Sequence, residues 1–431
     1  MVDQVMSARD RLEATFALIA APDADPAIFT RLYPEAARAA ADAADRRAAA
    51  GASLGPLDGA LVSIKDLFDV AGEPTTAGSS MLRDAAPPAQ DAVIVQRLRD
   101  AGAVIFGKTN MTEFAYSGLG LNPHWGTPGN AADPSRVPGG SSSGAGVAAA
   151  LGLGDIAIGT DTGGSVRIPA ALNGVVGFKP TAARVPRDGA FPLSYTLDSI
   201  GPLARSVRLC AEADAVMAGE APHALAVVPL STLTIAVVEE FLEGVEPAVL
   251  SVFDATLQQL AKAGATIIWA EIGPLIAEMR AALAEAPIVP VEAAAIHAAH
   301  LESHRAAFDP QVLARILGGL QVTAPRYVAT LRRRLALVAA LDGQLANGRL
   351  LAMPTTPVVA PSLESVADSA RFQATNALIL RNPSFGNFFD LCGISLPMRT
   401  EGLPVGLMLL GQNGRDVPLL SAALAIETEL G

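Results

Sequence analysis

Residues 139–150 read Gly-Gly-Ser-Ser-Ser-Gly-Ala-Gly-Val-Ala-Ala-Ala, a loop of small residues running into a helix with almost no side-chain bulk. A helix this thin can approach a sheet closely, and its first N–H groups point back at the loop before it. The surrounding sequence supplies the sheet. Between about 55 and 205, short β-branched runs (Leu61-Val62-Ser63-Ile64, Ala103-Val104-Ile105-Phe106, Ile156-Ala157-Ile158) are separated by Gly, Pro, Ser and Thr, with helical stretches such as Asp91 to Ala101 between them. Such alternation predicts an α/β fold: a largely parallel or mixed sheet with helices on its faces.

The flanks differ in texture. Residues 1–54 are Ala-rich, with Leu12, Phe16 and Ile19 at helical spacing and breaks at Pro22 and Pro26, and predict two or three helices. Residues 206–349 read as mostly helical, apart from the strand-like Leu233 to Val238 and Ala265 to Ile268. From Leu350 strands return (Leu350 to Met353, Leu407 to Leu410), and a helix over Val417 to Leu430 closes the chain. No repeat and no linker marks a boundary, so one composite domain over 1–431 is expected, with 55–205 as its centre and 350–431 returning to the sheet.

Charge narrows the function. The 31 basic residues face 43 acidic ones, a net charge of −12, which repels phosphate backbones and anionic lipid and argues against nucleic-acid or membrane partners. Charged residues are only 17% and apolar ones 51%, which excludes a disordered chain. Cys210 and Cys392 are too few for a disulfide framework or a thiolate zinc site. The first twenty residues lack the basic-then-apolar layout of a signal peptide, and no apolar run reaches the roughly 18 residues of a membrane span. A cytoplasmic protein is expected. Only Lys65, Lys108, Lys179 and Lys262 among the basic residues are lysine, and three of them fall in the glycine-rich stretch. A buried lysine can give up its proton; an arginine cannot.

Three motifs tempt and fail. Gly102 to Thr109 has P-loop spacing, but its intervening Ala-Val-Ile-Phe reads as a buried strand, not a phosphate cradle. Gly140-Ser141-Ser142-Ser143-Gly144 fits a nucleophile elbow at Ser142, yet a loop (Asp133 to Pro138) precedes it and no histidine follows His304. His297, His300 and His304 share a helical face that could hold a metal, but isolated surface or half-buried histidines are the better account of them.

What survives is a combination. Gly163-Gly164 immediately before Ser165 frees the backbone to aim N–H groups at one point beside a hydroxyl, as an oxyanion hole requires. Lys65 ends an apolar strand, where desolvation favours its neutral amine. With Gly107-Lys108-Thr109-Asn110-Met111-Thr112-Glu113-Phe114, Val137 to Ser142, Gly159 to Pro169, Gly177 to Thr181 and Asp198 to Arg205, the chain resembles the amidase signature family of serine amidohydrolases. Weaker echoes are Pro354 to Pro357 and Gly402 to Gly406, and Ser141 and Ser165 lie 24 residues apart, the family's spacing.

The resemblance implies an α/β/α single domain around a central mixed, twisted sheet of about eleven strands, with helices on both faces. It implies an amidohydrolase cleaving a linear amide C–N bond through an acyl-enzyme, releasing a carboxylic acid and ammonia or an amine, with no cofactor and no metal. Ser165 would be the nucleophile, Ser141 a cis-peptide serine bridging to it, and Lys65 the ultimate base. The N–H groups of Thr162, Gly163, Gly164 and Ser165 would form the oxyanion hole. Gly140, Phe114 and Tyr116 would lie at the substrate, with Phe191, Leu193 and Tyr195 as acyl-pocket candidates. Asp161 and Arg167 are expected to pair, Ser142 and Ser143 to cap the following helix, and Lys108 and Lys179 to serve structure. The partner would be a small amide, with a homodimer through the N-terminal helices as a possibility. The alternative is the amidase (glutaminase) subunit of a tRNA-dependent amidotransferase, against which the acidic balance leans. Two departures from the family pattern stand out: Ala183 where a glycine is usual, and Cys392-Gly393-Ile394-Ser395-Leu396-Pro397, which lacks a Pro-Ala after its glycine.

Overall fold

The apolar runs assemble into one sheet of eleven strands in the computed structural model. It describes residues 6–222 and 224–431; residues 1–5 and His223 lie outside the described residues. The strands are β1 (Phe29–Leu32), β2 (Leu61–Lys65), β3 (Val104–Thr109), β4 (Ile156–Asp161), β5 (Val176–Lys179), β6 (Ser199–Ala204), β7 (Thr234–Val237), β8 (Thr266–Trp269), β9 (Leu350–Pro354), β10 (Cys392–Pro397) and β11 (Gly406–Gly411). Their order across the sheet is β1-β3-β2-β4-β6-β5-β10-β11-β9-β7-β8. β2 runs parallel to both β3 and β4, and β7 parallel to β8 and β9; the remaining pairs are antiparallel, so the sheet is mixed.

Both faces are covered, and the period of two along each strand shows how. Leu350, Ala352, Leu407 and Leu409 enter one apolar cluster with the helices Val207–Ala218, Pro247–Lys262 and Asp416–Leu430. Leu351, Met353, Met408 and Leu410 enter another with Leu341, Phe385 and Phe388 on the opposite face. The helices Ala8–Ile19 and Pro34–Ala49 lay Leu12, Ala37 and Ala41 against Leu61, Val104 and Phe106.

The small-residue helix forms over Ser143–Ala150, and almost all of it is buried. A Cβ on Gly144 would stand 2.7 Å from the Asn110 amide nitrogen and 2.3 Å from the Ile28 carbonyl oxygen, so only glycine lets this helix lie so close to the end of β3. The capping expectation for its serines fails. Ser142 is the N-cap residue without a side-chain cap bond; its hydroxyl donates to the Thr160 carbonyl and that of Ser143 to the Asn110 carbonyl, both at 3.4 Å. The loop is anchored to β3 and β4 instead.

β1 falls where only helices were expected: four residues on the sheet edge give too short a pattern to read. The departure at Ala183 leaves a turn intact, with the Arg184 N–H donating to the Thr181 carbonyl at 3.0 Å. Cys392 to Pro397 is β10, paired on both sides.

Candidate active site

Lys65 is the last residue of β2, and its side chain is completely buried. The parallel register sets Ile64 opposite Ile158, which brings Thr160 of β4 beside the lysine. The Lys65 Nζ donates to the Ser141 Oγ and to the Thr160 Oγ1, both at 2.8 Å. Burial drives the amine's pKa down to about 7, against the pull of the Asp198 and Asp161 carboxylates, which raise it. Near neutral pH this lysine divides between its charged and neutral forms. The bland alternative, a Lys65–Asp66 pair, does not form: Asp66 lies 3.7 Å from the buried Lys108 Nζ. Lys179 donates to the Pro180 carbonyl at 2.7 Å, a structural role as expected.

Ser141 follows a cis peptide bond from Gly140. The Ser142 N–H donates to the Ser165 carbonyl at 3.3 Å, so the two serine segments are tied to each other through the backbone. The Ser165 hydroxyl itself has no hydrogen-bond partner among the described residues. Of the two contacts expected between Lys65, Ser141 and Ser165, the lysine–serine hydrogen bond is formed and the one between the serine hydroxyls is not.

Ser165 sits on the loop between β4 and the helix Arg167–Asn173. That loop is shaped from below by Asp161, fully buried, which pairs with Arg167 at 2.8 Å and accepts from the N–H groups of Gly164 at 2.8 Å and Val166 at 3.2 Å. Asn387 donates to the Asp161 Oδ1 at 2.9 Å and accepts from Arg167 at 2.7 Å. Burial alone would raise the Asp161 carboxyl; the charge and hydrogen bonds of Arg167 outweigh it and hold the group below the usual carboxylate range. This corrects one expected donor. The Gly164 N–H is spent on Asp161, while those of Thr162, Gly163 and Ser165 have no partner among the described residues. Gly164 is held by its fold: at φ +126°, a Cβ would stand 2.6 Å from Pro383.

A cavity of about 240 Å³ opens on Ser165, Thr162 and Gly163. Its walls include Tyr116, Leu193, Ile288, Phe388 and Arg315. Tyr116 and Leu193 therefore lie where the sequence suggested. Phe114 does not: it is core, its ring 4.3 Å from that of His297 and stacked on Phe191 at 5.4 Å. Gly140 is packed against Gly120 and Ser117, away from the cavity wall. Phe191 and Tyr195 line a second cavity of about 520 Å³, which also reaches Thr160 and Asp198. Asp198 accepts from the Thr162 Oγ1 at 2.5 Å and from the N–H groups of Leu193 and Ser194, joining the nucleophile loop to the cavity wall.

The histidine trio is broken up. One helix ends at Ile296 and another begins at Ala298; His297 between them is fully buried, and no group of three metal-binding side chains occurs among the described residues. No helix there is long and apolar enough to cross a membrane.

A neutral-capable amine, two serine hydroxyls and free backbone N–H groups around one small cavity are the parts of acyl transfer. The family model described as Amidase matches residues 11–420. The chain belongs to the amidase family. This amidase is similar to a 2-amino-5-chloromuconic acid deaminase of Comamonas testosteroni, at 36% identity over 92% of this chain and 87% of that one. It is 34% identical to the 1-carboxybiuret hydrolase subunit AtzE of Pseudomonas sp. (strain ADP), over 98% and 95% of the two chains. A crystal structure of an amidase superposes with a TM-score of 0.87 at 36% identity, covering 99% of this chain and 97% of that one. The amidase is thus a hydrolase of amide C–N bonds on an α/β amidase-signature fold.

Sequence reasoning missed Thr160, Asp198, Asn387 and Arg315. Thr160 and Asp198 stood inside quoted motifs without a role. Asn387 and Arg315 lie more than 140 residues beyond Ser165 with no local pattern to expose them.

Proposed function

We propose that this amidase hydrolyses a small linear amide through a covalent ester on Ser165. The Ser165 oxygen attacks the carbonyl carbon while its proton passes to Ser141 and the Ser141 proton passes to neutral Lys65. The carbonyl oxygen, now negative, takes hydrogen bonds from the N–H groups of Thr162, Gly163 and Ser165, worth roughly 10²–10³ in rate per donor. As the C–N bond breaks, Lys65 returns its proton through Ser141 to the departing nitrogen. Water then attacks the ester by the same relay and frees the acid. The open Ser141–Ser165 link closes when substrate seats, as catalytic hydrogen bonds tighten on complex formation.

The observation that carries this reading is the 2.8 Å contact from the buried Lys65 amine to the Ser141 hydroxyl, on a segment tied to Ser165 by the Ser142 N–H at 3.3 Å. Two acids in the names of the relatives, a muconic acid and a carboxybiuret, support small polar substrates. The test is a fluorophosphonate probe followed by mass spectrometry, beside an ammonia-release screen. The adduct is expected on Ser165, and Ser165→Ala is expected to abolish both adduct and turnover with an unchanged melting curve. An adduct elsewhere, or turnover retained by Ser165→Ala, sinks the mechanism.

A further inference from the structure

Arg315 is the one charged side chain lining the cavity that opens on Ser165, among the described residues. It comes from the helix Pro310–Gly319. Its guanidinium lies over the Tyr116 ring, 4.3 Å from the centroid, and donates once, through Nη1, to the Tyr116 carbonyl at 3.1 Å. No described carboxylate lies within ion-pair distance of it. Arg167 is paired with Asp161, and Arg184 with Asp214 and Glu220, whereas Arg334 donates to the Phe388 and Asn387 carbonyls. A guanidinium carries five N–H donors; here one goes to a backbone carbonyl and the others remain available at the cavity wall. The buried Tyr116 hydroxyl has no side-chain partner besides this arginine, whose charge and hydrogen bond act to lower its pKa against burial.

The missing partner is an anion. A protein of net charge −12 repels anions at a distance, so an acidic ligand needs a local cation, and this cavity supplies one. The cavity's volume of about 240 Å³ is below the roughly 300–1,000 Å³ of drug-sized sites, which restricts the ligand to a short molecule. Its apolar side chains, Leu193 and Ile288 among them, suit a hydrocarbon link between the two polar ends. We propose that Arg315 anchors a carboxylate on the substrate, so that this amidase acts on small amides whose far end is an ionised acid. The guanidinium fork matches a carboxylate in two parallel hydrogen bonds, which would set the distance from the acid to the scissile carbonyl. The proposal rests on the reading that Ser165 attacks in this cavity.

Calorimetric titration of the full chain carrying Ser165→Ala tests it without turnover. The probes are monoamides of oxalic, malonic, succinic and glutaric acid, each against its uncharged diamide. At least one monoamide is expected to bind about 30-fold or more tighter than its diamide, the lower end of what a buried charge partner contributes. Adding Arg315→Met should erase that preference, while Arg315→Lys, a charge without the fork, should leave it about tenfold weaker. Arg315→Lys also carries the test should the methionine variant fail to fold. Equal binding of monoamides and diamides, no binding of any monoamide, or a preference that survives Arg315→Met overturns the proposal. Failure of the mechanism reads out separately, as absence of a fluorophosphonate adduct on Ser165 in the wild type.

Discussion

If Lys65 is the base, the reactivity of Ser165 must follow the lysine's protonation, and the buried geometry sets where. With a pKa of about 7, the neutral fraction of Lys65 is about one tenth at pH 6, one half at pH 7 and nine tenths at pH 8. Labelling of Ser165 by a fluorophosphonate should therefore rise about tenfold between pH 6 and pH 8 and level off above. A lysine left at its usual value of 10.5 would give about a hundredfold rise over the same interval and no plateau. The probe needs only the nucleophile and its base, so the substrate need not be known. Thr160 supplies an internal control. Its hydroxyl accepts from the Lys65 Nζ at 2.8 Å and favours the charged amine; a hydrogen bond to a charged group contributes about 1.5–3 kcal/mol, so Thr160→Val should move the midpoint down by about one to two pH units. A profile that climbs steadily past pH 9, or a midpoint that ignores Thr160→Val, would refute the reasoning.

Three further outcomes follow from the same geometry. Lys65→Arg should lose several orders of magnitude in amide turnover and labelling rate, because a guanidinium cannot take up the serine proton; near-normal rates would remove Lys65 as the base. Asp161→Asn should lower stability by about 3–5 kcal/mol in a denaturant titration, since it strands the fully buried Arg167, and should slow labelling as the Ser165 loop loses its shape. His297 is buried with both ring nitrogens unpartnered, and burial lowers its pKa to about 4 from 6.5. The unfolded chain gains this proton below pH 6.5 while the folded one does not until about pH 4, so up to about 3 kcal/mol of stability is lost across that window as pH falls. His297→Phe should flatten the melting temperature over those pH values; an unchanged slope would place the acid sensitivity elsewhere.

How much of this was legible in the sequence depended on range. That Lys65 and Ser141 would meet, and that Ser165, Thr162 and Gly163 would share one loop, could be anticipated because each lies in a dense local pattern. The strands with β-branched runs were equally plain. β1 was not, because four residues on an edge carry no period, and neither was β6, where Gly201-Pro202 look like a turn yet pair with β4. The Gly164 N–H was assigned to the oxyanion hole because spacing cannot say that Asp161, three residues earlier, folds back to take it. Phe114 was placed at the substrate because its segment resembles one that lines the pocket in the family, although core was its plain reading. Adjacent residues point in different directions at this 3₁₀ turn, where Phe114 adopts φ +49° and turns into the core. Arg315 and Asn387 were invisible because their partners are set by tertiary packing alone.

Burial lowers the pKa of all three lysines near the sheet, and the arrangement of charge around Lys65 explains how it is poised to lose its proton near neutrality. Lys108 has Asp66 at 3.7 Å, and Lys179 gives a hydrogen bond to a backbone carbonyl. Lys65 meets only two neutral hydroxyls. Two carboxylates are close enough to pull its pKa back up, but each is already engaged. Asp161 is held by Arg167, Asn387 and three backbone N–H groups, and Asp198 accepts from Thr162, Leu193 and Ser194. Burial also raises the Asp198 carboxyl above its usual range. The same hydrogen bonds that hold the nucleophile loop in shape thus keep its anions from claiming the base, so positioning and proton affinity are set by one network. A substrate carboxylate bound near Ser165 would threaten that balance by adding a new anion. Arg315 sits in the one place that could neutralise it, at the cavity wall, leaving the amine behind the serines free to titrate where it does.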